Sequence, residues 1–434
     1  MQALIMAGGK GTRLAALTKD AIPKPMAELC GLPVIGRAIE SLRRNGVEEV
    51  FISVGHLADK IKEYVGSGAR FGVRAAYVEE ETPLGSGGAL YYLKDKVKSD
   101  FIVCSGDTVF DIDIRRMVAF HKKKKAAATL FTHPNSHPYD SDVIVCDRYG
   151  RVKNIAKKGE PRDRWYKNNV NAGFFVIAPA ALHFFTEPKK VNMEHDFIAA
   201  LVKNGERVYA YKSPEYIKDV GTPERFAQAE EDVKSGLVAA RNLKNRQKAV
   251  FLDRDGTLNV YKGFIRKAED IELLSGVAEG IGLLNAAGYL TVAVSNQPVI
   301  ARGEASFADV EEQFAKIETL LGEKGAYLDG VYYCPHHPDG GFAGEVKRLK
   351  KVCRCRKPDI GLFLKAQKDF NIDFGQSFVI GDADVDVRAG INAGVKQIRL
   401  QTGVAEKAGD AEPTYRAKDF LSAAKMIVDE KKRL

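Results

Sequence analysis

The stretch AVFLDRDGTL, residues 249–258, divides the chain: an apolar run of strand type ends in two aspartates two positions apart, followed by a glycine. On a strand, residues i and i+2 point the same way. Asp253 and Asp255 are therefore expected to converge at the strand's carboxyl end, where open α/β sheets place their ligands. At ~4 Å two carboxylates repel by roughly 4 kcal/mol under an effective dielectric of about 20. A cation or a split of protonation states must relieve that repulsion, and either implies chemistry. A D-x-D-G Asx-turn would use the same letters, so the surrounding motifs decide.

Those motifs follow in order. SNQ (295–297) comes after the apolar YLTVAV, then RKP (356–358), then GDADVD (381–386) after SFVI. The succession D-x-D-G-T, S-N, K, G-D-x-x-x-D resembles the haloacid dehalogenase-like phosphatases over residues 248–398. The resemblance implies that Asp253 is the nucleophile that accepts phosphate and that Asp255 is the acid/base that protonates the leaving oxygen. It makes Ser295 and Lys357 the phosphate clamps, and Asn296 and Arg356 substrate contacts. Asp382 is the Mg²⁺ carboxylate, with Asp253 and Asp255 beside it and Asp386 a weaker acidic candidate. The chemistry agrees: a carboxylate can attack an anionic phosphoryl group only where Mg²⁺, lysine and hydroxyl donors neutralise the charge that builds there.

Of six cysteines, Cys30, Cys104 and Cys146 are scattered, whereas Cys334-Pro335-His336 and Cys353-Arg354-Cys355 form a pair of short motifs. Three sulfurs and one imidazole are the ligand set of a closed structural Zn²⁺ site. The loop between them, PDGGFAGEVKRLKK, is too polar and glycine-rich to hold itself together without such a staple.

At the start of the chain QALIMA (2–7) reads as a short buried strand running into Gly8-Gly9-Lys10-Gly11-Thr12-Arg13. A glycine turn after a strand lets backbone N–H groups approach a polyphosphate, and the two basic side chains add positive charge there. With Thr18 and Pro23-Lys24-Pro25-Met26 following, the segment resembles the sugar-1-phosphate nucleotidyltransferases, and the resemblance covers residues 1–236. It implies that Gly8, Gly9, Gly11 and Thr12 hold the nucleoside triphosphate and that Arg13 and Lys24 are catalytic. VEEETPLGSGGAL (78–90), with Gly85 and Gly88, is then the base-recognition segment. NVNAGFFVI (169–177), with Asn171 and Gly173, is the sugar-contacting strand. Asp107 in FIVCSGDTVFDID and Asp219 in EYIKDVGTPERF are the two Mg²⁺ carboxylates. Transfer of this kind needs in-line positioning and charge neutralisation more than covalent help.

A chain of 434 residues exceeds one ordinary core. The expected organisation is a nucleotidyltransferase domain over 1–236, a charged linker over 237–247, and a phosphatase domain over 248–434. The fold class is α/β: two doubly wound domains, Rossmann-like first, haloacid dehalogenase-like with a zinc loop second. With 45% hydrophobic and 28% charged residues the composition is globular, and no apolar run reaches the ~18 residues of a membrane span. The start MQALIMAGGKG lacks a basic n-region and a cleavage site, so a cytoplasmic protein without a membrane partner is expected. The net charge of +9 is spread along the chain with no nucleic-acid motif, and anionic small substrates account for it. Homo-oligomerisation is left open.

The zinc-loop pattern resembles two kinds of phosphatase, those for D-glycero-D-manno-heptose 1,7-bisphosphate and those for histidinol phosphate. The neighbouring domain separates them, because removing the 7-phosphate leaves a heptose 1-phosphate, which a nucleotidyltransferase can consume. The reading is therefore a bifunctional enzyme of nucleotide-heptose synthesis that takes heptose bisphosphate, heptose 1-phosphate and GTP, with adenosine or thymidine transfer left open. The alternatives are a transferase for another sugar fused to a histidinol-phosphate-type phosphatase, or one inactive half kept as a binding module.

Overall fold

The computed structural model describes residues 1–9, 22–80, 82–162, 164–403 and 409–433. By packing, the chain divides into two units: Met1–His133, Ile144–Ala156 and Asn171–Asn242 form the first, and Pro134–Val143, Lys157–Val170 and Leu243–Leu434 the second.

Among the described residues, the first unit is built on a nine-stranded sheet. Its strand Gln2–Met6 has Ala3, Leu4 and Ile5 fully buried, as expected of a parallel strand covered on both faces. Gln2–Met6 lies between Glu49–Val54 and Phe101–Ser105, parallel to both. The chain thus steps outward on one side and returns to pair on the other, which opens a crevice at the carboxyl ends of Gln2–Met6 and Phe101–Ser105. The sheet is not parallel throughout: Val170–Ile177 runs antiparallel to Phe101–Ser105. Beside the sheet, Tyr216–Asp219 pairs antiparallel with Thr108–Asp111, setting Asp219 opposite Thr108. The helix Val34–Arg44 buries Val34, Ile35, Ala38, Ile39 and Leu42, the single stripe of an amphipathic helix.

In the second unit, among the described residues, a six-stranded, all-parallel sheet runs in the order Gly330–Cys334, Leu290–Asn296, Ala249–Leu252, Phe378–Gly381, Lys396–Leu400 and Tyr415–Ala417. Its first strand, Ala249–Leu252, lies between Leu290–Asn296 and Phe378–Gly381, so the switch point falls where Asp253 leaves the sheet. Two excursions from the first half of the sequence pack in this unit. Tyr166 N–H donates to Thr319 Oγ1 at 2.9 Å, and Arg164 pairs with Glu312 at 3.0 Å on the helix Phe307–Gly322. The stretch 237–247, expected as a charged linker, holds a short helix Leu237–Ala240 followed by buried Arg241, Asn242, Leu243 and Gln247. Asn242 is tied down by donating to Asp111 at 2.7 Å. Among the described residues, no helix is long and apolar enough to cross a membrane.

Candidate active sites

In the first unit the crevice brings the ends of two strands together: Gly106 N–H donates to Met6 O at 2.8 Å. Asp107 therefore lies near Met6, where the first strand ends. Lys24, only 8% exposed, ion-pairs with Asp107 and lies 3.7 Å from Asp219 Oδ1. Ser105 Oγ donates to Asp107 Oδ1 at 2.5 Å, and Arg225 Nη1 to Asp219 Oδ2 at 2.7 Å. Burial pushes the Asp107 carboxyl up, but the Lys24 charge and the bonds from Lys24 and Ser105 outweigh it and hold the group below its ordinary value. Both carboxylates thus converge on one cationic atom, and this all-oxygen donor set suits a hard divalent cation.

Around this pair the other expected contacts divide. A Cβ on Gly8 would stand 3.5 Å from Glu80 Oε1, whereas one on Gly9 would meet nothing within 4 Å among the described residues. Glu80 is half-buried, accepts a hydrogen bond from Leu84 N–H at 2.9 Å, and is pushed up by burial against that bond and one from Ser53. At Gly85 (φ +78°) a Cβ would lie 2.6 Å from Val191 O, and at Gly88 one would lie 2.9 Å from Lys189 O. These two glycines are required by the backbone of 189–191 irrespective of any ligand. Asn171 Nδ2 donates to Glu194 Oε1 at 3.0 Å, and its buried Oδ1 has no hydrogen-bond partner among the described residues. Gly173 has φ +66° and open space at its Cβ position. Gly11, Thr12 and Arg13 lie outside the described residues.

In the second unit Asp253, Asp382 and Asp386 each present an oxygen within 4.8 Å of the others. Lys357, 3% exposed, reaches in between: its Nζ lies 2.7 Å from Asp253 Oδ1 and 2.6 Å from Asp386 Oδ1, and donates to Val294 O at 2.7 Å. Burial would lower this lysine, yet Asp253 and Asp386 hold it above its ordinary value. Burial, with the negative charges of Asp386 and Asp255, outweighs Lys357 and pushes Asp253 up to about 6. Three carboxylates against one ammonium form an oxygen set that fits Mg²⁺. Gly256 (φ +81°) and Gly381 make room for it, since a Cβ would lie 2.5 Å from Asp382 Oδ2 at the first and 2.3 Å from Asp386 Cβ at the second.

Asp255 is a correction: among the described residues its carboxylate stands outside this cluster, and Asp386 completes it. The strand ends at Leu252 and the chain then curls, with Leu258 N–H donating to Arg254 O at 2.8 Å, so strand parity no longer applies at position 255. Asp255 instead accepts from Arg254, Asn259 and Gln297. Ser295 is buried, its Oγ accepting from Gln297 Nε2 at 2.9 Å. Asn296 clasps the clamp lysine's backbone, donating to Lys357 O at 3.0 Å and accepting from Lys357 N–H at 2.9 Å. Its side chain thereby ties down the Lys357 backbone. The sequence reading missed Arg254 and Gln297, whose signal was only their adjacency to Asp255 and Ser295.

Cys334, His336, Cys353 and Cys355 form the second candidate metal set. Cys334 Sγ lies 3.5 Å from Cys353 Sγ and 3.2 Å from Cys355 Sγ, and His336 Nδ1 lies 3.2 Å from Cys355 Sγ. A tetrahedral ion with ~2.3 Å sulfur bonds would separate sulfurs by about 3.8 Å, so small adjustments suffice. Cys355 is pulled down to about 5, chiefly by its hydrogen bond with Cys334, and so favours the thiolate that metal binding requires. The next two residues are Arg356, whose Nη1 donates to His336 O at 3.4 Å, and Lys357, so the cluster anchors the segment that carries the lysine.

Comparison with known proteins agrees with both halves. The nucleotidyl transferase family model matches residues 2–236, and a model described as HAD-hydrolase-like matches 354–423. A D-glycero-beta-D-manno-heptose-1,7-bisphosphate 7-phosphatase of Haemophilus ducreyi is 44% identical over 165 residues, 37% of this chain and 86% of that protein. A mannose-1-phosphate guanylyltransferase of Mycobacterium tuberculosis is 29% identical over 251 residues, 57% of this chain and 68% of that protein. Among solved structures, HddC from Yersinia pseudotuberculosis is 26% identical with a TM-score of 0.47, covering 54% of this chain and 99% of that one.

Proposed function

Since the chain belongs to the nucleotidyl transferase family through residues 2–236, and to the family of the heptose-bisphosphate 7-phosphatases through a 165-residue match, we propose that it performs two consecutive steps of nucleotide-heptose synthesis. It removes the 7-phosphate of D-glycero-D-manno-heptose 1,7-bisphosphate and transfers a guanylyl group from GTP to the heptose 1-phosphate. The sequence boundaries 1–236, 237–247 and 248–434 divide the work, with the excursions 134–143 and 157–170 packed in the second unit.

The observation that carries the phosphatase half is the placing of Lys357 between Asp253 and Asp386 at the sheet's switch point. Asp253 attacks phosphorus, Lys357 and the Ser295 hydroxyl stabilise the phosphoryl oxygens, and Asp255 gives its proton to the departing sugar oxygen. In the transferase half, Lys24 steadies the triphosphate beside Asp107 and Asp219, Arg13 adds charge, and Asn171 with Gly173 receives the sugar. Bound Mg²⁺ would be held by Asp253, Asp382 and Asp386 in one half and by Asp107 and Asp219 in the other, offsetting phosphoryl charge. Zn²⁺ on Cys334, His336, Cys353 and Cys355 has a structural role.

Regiochemistry follows from order, because the transferase needs a free 1-phosphate as nucleophile. The Asp253 centre meets only the transferred group, so discrimination falls to residues at the distal end, with Arg356 gripping the 1-phosphate. Guanine is favoured by Glu80, since a carboxylate accepts from the paired N1–H and 2-amino donors that adenine and thymine lack. The similarity to a mannose-1-phosphate guanylyltransferase points the same way. Pyrophosphate release from GTP, ATP and dTTP with each anomer of heptose 1-phosphate tests this. GTP should be consumed fastest, and equal use of all three would remove the base assignment.

A further inference from the structure

Arg254 lies between the two aspartates of the D-x-D-G motif and is the largest side chain among those fully buried, at 1% exposure. Removing a guanidinium from water costs several kcal/mol unless each donor finds a partner. Here each face is met. Nε lies 3.1 Å from both oxygens of Asp255, Nη2 donates to Asp255 Oδ2 at 2.8 Å, and Nη1 donates to Gln313 Oε1 at 2.5 Å. The cation also stands 5.6 Å from the centre of the Phe314 ring. Gln313 and Phe314 lie on the helix Phe307–Gly322, so the guanidinium is fixed from behind by a rigid element. The Asp255 side chain remains 19% exposed and receives two further bonds, from Asn259 Nδ2 at 3.1 Å and Gln297 Nε2 at 3.2 Å.

A buried ion pair is weak evidence of stability, because well-packed apolar side chains often serve as well. The arrangement does bear on orientation: the Arg254 fork holds the Asp255 carboxylate, and Gln313 on the helix holds Arg254. We propose that Arg254 is a positioning residue that aims Asp255 at the leaving oxygen, an assignment that rests on the phosphatase reading of this half. In the first step an Asp253 oxygen bonds to phosphorus, the phosphorus–sugar oxygen bond breaks, and that oxygen takes the proton of Asp255. In the second, Asp255 takes a proton from water as the water oxygen displaces Asp253 and releases phosphate. Only the first proton transfer depends on how basic the leaving group is.

That dependence gives a readout which a merely structural role would not move. In the full-length chain with Mg²⁺, Arg254→Met is compared with the unaltered protein on p-nitrophenyl phosphate, whose phenolate leaves without a proton, and on glycerol 3-phosphate, whose alkoxide needs one. The expected loss in kcat/KM, which reports the steps up to departure of the leaving group and not the shared hydrolysis of the phospho-aspartate, is about 100-fold on glycerol 3-phosphate and under about 5-fold on p-nitrophenyl phosphate, the scale of a misaimed acid. Adding Arg254→Met to Asp255→Asn should lower glycerol phosphate turnover no further. Equal losses on both substrates, no loss, or a further loss in the double variant would overturn the assignment. If Arg254→Met does not fold, Arg254→Lys, which keeps the charge but not the fork, is judged by the same ratio. Failure of the unaltered chain to hydrolyse heptose 1,7-bisphosphate would contradict the substrate reading alone.

Discussion

Lys357 Nζ lies 2.7 Å from Asp253 Oδ1, so the proposed clamp and the proposed nucleophile are in direct contact. The lysine is the counter-charge of three carboxylates, and removing it would leave them facing one another in a buried site. Breaking such a pair commonly costs about 3–5 kcal/mol. Lys357→Ala is therefore expected to lower the melting temperature measured in chelator and to cut phosphate release by roughly 100-fold or more. A variant with unchanged stability and activity would show that the lysine is dispensable.

On the proposed function the two chemistries rest on separate carboxylates, Asp107 in the first unit and Asp253 in the second. Asp253→Asn should abolish phosphate release from the bisphosphate while leaving pyrophosphate release from GTP and heptose 1-phosphate near that of the unaltered protein. Asp107→Ala should do the converse. Separate measurement of the two products on one preparation checks both, and loss of both activities in either variant would count against independent sites.

Elemental analysis of freshly purified protein should give a single zinc per chain. Cys353→Ser should damage the phosphatase by releasing the segment that carries Arg356 and Lys357, since a structural site acts through what it holds in place. Nucleotidyl transfer should persist. Zinc-free protein with full phosphatase activity would refute the structural role.

Glu80→Gln replaces a pure acceptor by an amide that still offers one acceptor. GTP should lose about 10-fold or more in kcat/KM, the scale of a charge-assisted bond of 1.5–3 kcal/mol, while ATP and dTTP change little. An equal loss for all three nucleotides would place Glu80 in loop support, through its bond from Leu84, rather than in base reading.

The short motifs were legible because each directly follows a strand, where a few residues decide what stands at the sheet's edge. Strand Ala249–Leu252 with Asp253, and Phe378–Gly381 with Asp382, are the clearest cases. Asp386 was underrated: four residues beyond Asp382, it is brought back to Lys357 by the helix Asp384–Ala393, whose start the sequence marks poorly. Asp255 was misplaced because parity was carried past the strand's last residue. The antiparallel strand Val170–Ile177 and the packing of 157–170 in the second unit depend on long-range pairing that local periodicity does not encode. Gly85 and Gly88 read as ligand contacts, yet the backbone of 189–191 already requires them.

The most direct measurement is a phosphorus NMR time course of the full-length chain with heptose 1,7-bisphosphate, GTP and Mg²⁺. The 7-phosphomonoester signal should disappear first with equimolar orthophosphate. A diphosphodiester signal and pyrophosphate should then grow as the 1-phosphate is consumed. Loss of the 1-phosphate to orthophosphate, or accumulation of heptose 1-phosphate with GTP unspent, would contradict the account.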